Sequence, residues 1–479
     1  MIVYTLGRII GLEGILLTLP LIVSLIYGEW STALAFAITA ASATLVGLLL
    51  FKLTGKSDQT IYAREGFVIV ALTWLFLSAI GAVPFVLSGE IPSYIDAFFE
   101  TVSGFTTTGA SILTDVEAMS HGALFWRSFT HWIGGMGVLV LMMAIVPDNT
   151  GRSIHIMRAE MPGPTVDKIV PKVRDTAKIL YLIYIAMTLV EIVLLLCGGM
   201  NLFEASIHSF GTAGTGGFGV KSTSISGYSP YCQWVITIFM LLFGVNFNLY
   251  YLMLIRRFRS VLKSEELWTY IGIVVASVVI ITANVSSMYS TLSETVRYSA
   301  FQVASIITTT GYSTVDFNLW PSFSKTVLLL LMFIGGCAGS TAGGLKVSRI
   351  VLLIKSIGSE VRHLLHPRAI TTVKFEGKTV DKSTRKGIGT YLALYFFLFA
   401  VIFLLVSIEP YDMETNFTAT AACFNNVGPG FSLVGPVENF SFYSGFTKAA
   451  LSAAMLLGRL ELYPILLTLS PAAWSKKHK

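Results

Sequence analysis

The sequence predicts an all-α integral membrane protein, with an N-terminal two-helix hairpin and then four pseudo-symmetric helix–pore-helix–filter-loop–helix repeats around one pore. Three observations predict it. Of 479 residues, 54% are hydrophobic and only 13% are charged, against the roughly 25% charged of soluble domains. Apolar runs of about 20 residues, the length that crosses a bilayer, recur along the whole chain. Four short loops of small polar residues and glycine interrupt them at subdomain-sized intervals: Phe105-Thr106-Thr107-Thr108-Gly109-Ala110-Ser111, Ala213-Gly214-Thr215-Gly216-Gly217-Phe218-Gly219, Ile307-Thr308-Thr309-Thr310-Gly311-Tyr312-Ser313 and Phe424-Asn425-Asn426-Val427-Gly428-Pro429-Gly430.

The hairpin occupies residues 1–64. Its first apolar run, 4–27, carries Arg8 and Glu13 near its start. A cleavable signal peptide is the competing reading, but no small-residue cleavage site closes the run and a second one, 31–51, follows at once. Lys52, Lys56 and Arg64 then mark a cytoplasmic loop.

Repeat one (65–177) has an outer helix over 65–87, a short amphipathic segment over 93–104, its loop, and a long helix over 123–146. Asp115, Glu117 and His121 suit the outer face, whereas Arg152, Arg158, Lys168, Lys172 and Arg174 make 147–178 a cytoplasmic connector, punctuated by Pro162, Pro164 and Pro171. Repeat two (178–266) uses 179–198, a short segment over 202–210, its loop and a helix over 231–255, closed by Arg256, Arg257, Arg259 and Lys263. Repeat three (267–386) uses 267–283, a segment over 293–306, its loop and an apolar run from Val327, which the glycine-rich stretch 335–344 interrupts. A long basic loop, 355–386, follows. Repeat four (387–479) uses 388–408, a segment over 413–423, its loop and a helix over 442–470, and Lys476, Lys477 and Lys479 end the chain. Ten spans result, with both termini on the cytoplasmic side.

Superposed on Gly109, Gly217, Gly311 and Gly428, the loops read as degenerate copies of one ion filter. Non-helical backbone at membrane depth is tolerated only where it is buried in protein or lines a water-filled path. A dehydrated cation needs inward-turned backbone carbonyls, and glycine supplies the positive φ that such a turn requires. Short helices ending at these loops aim the negative ends of their dipoles at the path, which favours a cation.

These loops resemble the filter signatures of the Trk/Ktr/HKT superfamily, through SGFTTTGAS at 103–111, TTTGYS at 308–313 and NNVG at 425–428. The resemblance covers nearly the whole chain, and the added N-terminal hairpin is similar to the TrkH-type potassium-uptake subunit. It implies potassium-selective translocation into the cell, with K+ as the transported ion and no organic cofactor on this chain. The implied filter is Thr107, Thr108 and Gly109; Thr215, Gly216 and Gly217; Thr309, Thr310 and Gly311; and Asn426, Val427 and Gly428. The second loop departs from the pattern, so Gly216 could stand in place of Gly217. The stretch with Gly335, Gly336, Gly339, Ser340, Thr341, Gly343 and Gly344 matches the family's intramembrane gating loop, and Arg459 matches a basic residue of its last helix. A homodimer with one pore per protomer is implied, above a TrkA-like cytosolic nucleotide-binding ring. In plant HKT relatives a serine at the first filter glycine goes with sodium transport, so four glycines imply potassium preference.

Blander readings stand beside these. The loop 335–344 could be close helix packing between small residues. Arg459 could pair with Glu461 or snorkel, although a charge flanked by apolar residues is costly in a membrane and usually functional. Asp96 and Glu204, equally spaced from their filter glycines, could gather cations or stabilise helix N-termini. The basic stretches could be topology signals or contacts to anionic lipid rather than docking sites. The net charge of +6 is concentrated in alternate loops and gives no nucleic-acid face. Cys197, Cys232, Cys337 and Cys423 show no C-x-x-C spacing. Gly214-x-Gly216-x-x-Gly219 lacks the preceding strand of a dinucleotide site, and no catalytic constellation repeats, so no enzyme is expected. H+- or Na+-coupled potassium symport of the KtrB-like kind is the alternative that sequence leaves open.

Overall fold

The computed structural model of the protein describes residues 2–54, 63–137, 173–368 and 371–474. Helices Ile2–Leu16 and Thr18–Ile26 run nearly end to end, and Trp30–Thr54 returns beside them. Small residues make this contact: a Cβ on Gly47 would fall on the backbone of Gly11, and one on Gly14 would strike Thr44. Lipid provides no hydrophobic drive between membrane helices, so close backbone approach and van der Waals packing take its place. Glu29 fastens the hairpin to the body of the protein. Its carboxylate accepts hydrogen bonds from the backbone N–H groups of His121 (2.7 Å) and Gly122 (3.0 Å), at the start of helix His121–Gly135. A negative charge there also meets the positive end of the helix dipole.

Four times the chain then runs as long helix, short helix, irregular loop and helix. The sets are Ala63–Ser88, Tyr94–Phe105 and His121–Gly135; Val173–Cys197, Leu202–Gly214 and Pro230–Phe243; Glu265–Val285, Leu292–Ile307 and Ser322–Ile334; Lys382–Val406, Met413–Phe424 and Gly445–Arg459. The short helices begin alike. Ser93, Asn201, Thr291 and Asp412 are their N-caps, and each side chain accepts from the amide three residues on: Asp96, Glu204, Glu294 and Thr415. Each cap satisfies one otherwise orphaned donor, and an acid in every first turn (Asp96, Glu204, Glu294, Glu414) suits the dipole.

In the second and fourth units the last helix is not a straight span. Residues 231–255 form Pro230–Phe243 and Phe247–Leu254, bent by 92°, and 442–470 form Gly445–Arg459 and Tyr463–Leu469, bent by 118°. Both breaks have local causes. Asn246 caps the new helix by accepting from Asn248 N–H (2.9 Å), and Glu461 and Leu462 take φ values of 53° and 69°. In the third unit, Ser322–Ile334 gives way to non-helical backbone before Val347–Leu365.

The stretch 355–386, expected as a loop, is largely regular structure. Helix Val347–Leu365 runs into it, and an antiparallel hairpin pairs Lys374–Phe375 with Lys378–Thr379 before Lys382–Val406 starts. Glu376 and Gly377 at its turn have φ of 49° and 75°, as tight two-residue hairpin turns require. Against the ten spans expected of the whole chain, the described residues contain six helices long and apolar enough to cross a membrane, or up to eight if each bent pair counts as one. The far end of the expected helix 123–146, most of the connector 147–178, and Lys56, Lys476, Lys477 and Lys479 lie outside the described residues.

Candidate ion path

Each short helix ends in the same backbone turn. Thr107, Thr215, Thr309 and Asn426 lie in the left-handed region, with φ of 55°, 55°, 56° and 56°. Two residues later, Gly109, Gly217, Gly311 and Gly428 have φ of 81°, 78°, 82° and 99°. Left-handed backbone costs a non-glycine residue roughly 1–2 kcal/mol, and the surroundings must hold it. The intervening residue helps: N–H groups of Thr108, Gly216, Thr310 and Val427 turn back to Ser103, Gly211, Ser305 and Ala422 carbonyls at 2.8–2.9 Å. No backbone amide among the described residues donates to the carbonyls of Thr108, Gly216, Thr310 or Val427.

Those carbonyls close a cycle. A Cβ added to Gly109 would fall on the carbonyl oxygen of Gly216, one on Gly217 on that of Thr310, one on Gly311 on that of Val427, and one on Gly428 on that of Thr108. Each loop therefore packs its glycine against the carbonyl of the next loop, and the fourth returns to the first. All four glycines line one outward cavity of about 110 Å³ together with Ser111, Lys221 and Glu438. The alignment places Gly217, not Gly216, at the repeated glycine position.

What stands behind the ring explains the odd second loop. In the first and third loops, paired hydroxyls brace the backbone: Thr106 Oγ1 lies 2.8 Å from Thr108 Oγ1, and Thr308 Oγ1 lies 2.8 Å from Thr310 Oγ1. The second loop has Gly214 and Gly216 in those places, and a Cβ on either would run into His131. His131 fills the space, with Nδ1 at 2.7 Å from the Gly104 carbonyl. In the fourth loop, Asn426 Nδ2 donates to Thr108 Oγ1 and to the Met455 carbonyl, both at 2.9 Å.

Residues not expected from the sequence brace the side of the ring away from the glycine-rich stretch. Glu100 and Arg127, both buried, form an ion pair at 2.6 Å. Glu100 also accepts from Ser111 Oγ and Ile112 N–H at 2.9 Å, while Arg127 reaches the Gly219 carbonyl at 3.2 Å and stacks on Phe218 at 3.6 Å. The pair thus ties the residues that follow Gly109 in the first loop to those that follow Gly217 in the second. Its only sequence signal was a charge within an apolar run, the same signal that marks Arg459. Tyr312 Oη links the third loop to the second by donating to the carbonyls of His208 (3.2 Å) and Phe218 (3.0 Å). Asp96 meets Lys448 at 2.6 Å, and Glu204 lies 4.0 Å from Lys221. With their place in first helical turns, this fits the helix-stabilising reading rather than free acids at a mouth.

Beneath the ring lies the glycine-rich stretch. Gly335, Gly339 and Gly344 have φ of 70°, 70° and 65°, and a Cβ on Gly344 would come within 3.1 Å of Gly335 Cα, so the stretch folds back on itself. It is a loop and not packed helix. Gly343 N–H donates to Thr309 Oγ1 (2.7 Å), Thr341 Oγ1 to the Phe243 carbonyl (3.2 Å), and Ser340 Oγ to the Cys337 carbonyl (2.7 Å). Gly336 packs on Ala342. Arg459 donates to the Thr341 carbonyl at 2.9 Å and to Gly134 and Gly135 carbonyls at 2.5 and 2.8 Å. Its neighbour Gly458 abuts Phe424 and Asn426 of the fourth loop. Glu461 is ion-paired with Arg349, which lies over Tyr391. A cavity of about 50 Å³ remains here, lined by Trp74, Gly135, Ser340, Gly343, Arg459 and Glu461 among others.

This arrangement offers backbone oxygens around one axis, with a folded loop and a guanidinium on one side of the ring. The family model described as TrkH, cation transport protein, matches residues 33–477. The Trk system potassium uptake protein TrkH of Escherichia coli (strain K12) is 38% identical over 478 residues, covering 98% of each chain. The protein of that name from Halomonas elongata is 32% identical and covers 99% of each. The crystal structure of the potassium transporter TrkH from Vibrio parahaemolyticus matches with a TM-score of 0.88 at 31% identity, covering 99% of both chains.

Proposed function

The chain belongs to the TrkH family of cation transport proteins, and from that premise we propose that it is the potassium-translocating membrane subunit of a Trk-type uptake system. One observation carries the reading: the closed cycle in which each filter glycine abuts the carbonyl of the next loop. Potassium sheds its water to oxygens of Thr107, Thr108 and Gly109 and their counterparts at 215–217, 309–311 and 426–428, which replace the hydration shell. The loop 335–344 is the gate, and Arg459 beside it raises the electrostatic barrier until the loop moves. The working assembly is a homodimer in a prokaryotic inner membrane, with both termini inside and a TrkA-like nucleotide-binding ring beneath. The exposed basic residues Arg362, Arg368 and Lys374 are the surface that receives the ring.

Uptake of rubidium into liposomes containing the purified protein tests this reading. Potassium should compete with rubidium strongly and sodium weakly, and equal competition by sodium would contradict it. Coupled symport is the second reading, favoured by Glu13. This side chain is 2% exposed, neither carboxyl oxygen has a hydrogen-bond partner among the described residues, and it lies against Gly81 beside Thr101. An ionisable group within the membrane is a functional candidate by default. Reversal potentials under opposed pH, sodium and potassium gradients separate the two readings, because only coupled transport shifts with the driving ion.

A further inference from the structure

Glu266 sits in the first turn of helix Glu265–Val285 and is only 6% exposed. Its Oε1 accepts two backbone hydrogen bonds, from Ala338 N–H at 2.8 Å and from Ser348 N–H at 3.0 Å. Those amides lie on opposite sides of the folded inner loop, one within it and one in the helix that leaves it. A single oxygen therefore pins the two shoulders of the loop together. The start of the Glu266 helix is itself held from the cytosolic hairpin: Glu376 Oε1 accepts from Ser264 Oγ and from Glu266 N–H, both at 3.0 Å. The hairpin is also tied to the helix leaving the loop, because Lys355 Nζ donates to the Lys374 carbonyl at 2.8 Å and pairs with Glu265. Glu376 is exposed, and Glu266 is not.

We infer that Glu266 is the latch of the inner loop and that the hairpin at 374–379 is the lever by which a cytosolic event releases it. The inference rests on the reading of 335–344 as the gate. Pulling or tilting the hairpin moves Glu376, which shifts the N-terminus that carries Glu266. Loss of the two shared hydrogen bonds then frees a stretch whose glycines at 335, 339 and 344 already occupy backbone that swivels easily. Coupling of this kind requires an element with two arrangements that both ends can bias, and the loop is that element.

Glu266 is a positioning residue, so its test turns on which atom is lost. Glutamine keeps a carbonyl oxygen that accepts both bonds, and alanine keeps nothing. In proteoliposomes without any cytosolic partner, Glu266→Ala should raise rubidium flux at least about fivefold, the low end of typical coupling between sites. Glu266→Gln should stay within about twofold of the parent on the same scale. Glu376→Ala should raise flux in the same direction, and adding it to Glu266→Ala should change nothing further. Alkylation of Cys337, buried in the loop, followed by mass spectrometry, reads loop release independently of flux and should rise in the alanine variants only. A variant lacking residues 340–342 is the control. If that deletion raises flux and Glu266→Ala raises neither flux nor Cys337 labelling, the latch is wrong and the gate stands. If neither change raises flux, both fall.

Discussion

Asn426 Nδ2 donates a hydrogen bond of 2.9 Å to Thr108 Oγ1, joining the fourth glycine loop to the first across 318 residues of sequence. The same nitrogen reaches the Met455 carbonyl, so one side chain closes the ring and fixes it to the last helix. Asparagine also tolerates the left-handed backbone found here better than most residues do.

Asn426→Gly keeps that backbone and removes both bonds, worth about 0.5–1.5 kcal/mol each. The variant should fold, show a lower thermal midpoint, and discriminate potassium from sodium less well. Competition of sodium for rubidium uptake measures it. Unchanged discrimination would mean that the side chain does not hold the ring.

The Glu100–Arg127 pair should behave as a buried ion pair. Arg127→Met alone leaves a carboxylate uncompensated, at a cost of about 3–5 kcal/mol. The double change Glu100→Gln with Arg127→Met removes both charges and should recover a large part of that loss. Thermal unfolding in detergent compares the three proteins, and a double variant worse than Arg127→Met would contradict the assignment.

Removing residues from the inner loop between Gly339 and Gly343 should raise basal flux and weaken dependence on a cytosolic regulator. Arg459→Ala should do so more mildly, because it removes a charge and three hydrogen bonds to the Thr341, Gly134 and Gly135 carbonyls but leaves the loop in place. Two folded variants with flux at the closed level of the parent would put the gate elsewhere.

Arg362, Arg368 and Lys374 are all exposed. Reversing their charges together should weaken capture of a TrkA-like ring in a pull-down and leave basal ion selectivity as it was. Full capture by the reversed protein would assign these residues to topology or lipid contact.

Much of this architecture was legible because its chemistry is local. A helix ending in left-handed backbone two residues before a positive-φ glycine leaves a hydroxyl-and-glycine signature at 107–109 and 309–311. The equal spacing of Asp96 and Glu204 from Gly109 and Gly217 marks two of the short helices, and the structure places both acids in first turns behind the caps Ser93 and Asn201. What stayed hidden depends on partners distant in sequence. The bends leave only small marks, Gly244 and Asn246 at one and Gly458, Glu461 and Pro464 at the other, inside runs that are apolar on either side. The extra glycines Gly214 and Gly216 look like a weakened filter until His131 is seen filling their place. The acids Asp96 and Glu204 could not be told from ion-gathering groups until Lys448 and Lys221 were found beside them.

The central claim is that four equivalent glycines form one potassium-selective ring, and Gly109→Ser tests it most directly. A side chain at φ 81° adds strain of roughly 1–2 kcal/mol, and its Cβ presses on the Gly216 carbonyl oxygen. Potassium, which depends on the full set of oxygens, should lose more than sodium, which keeps some of its water. The measurement is competition of potassium, rubidium and sodium for uptake into proteoliposomes by the parent and by Gly109→Ser. The account predicts a folded, conducting variant whose potassium-over-sodium preference falls; a folded, conducting variant that keeps the full preference would contradict it.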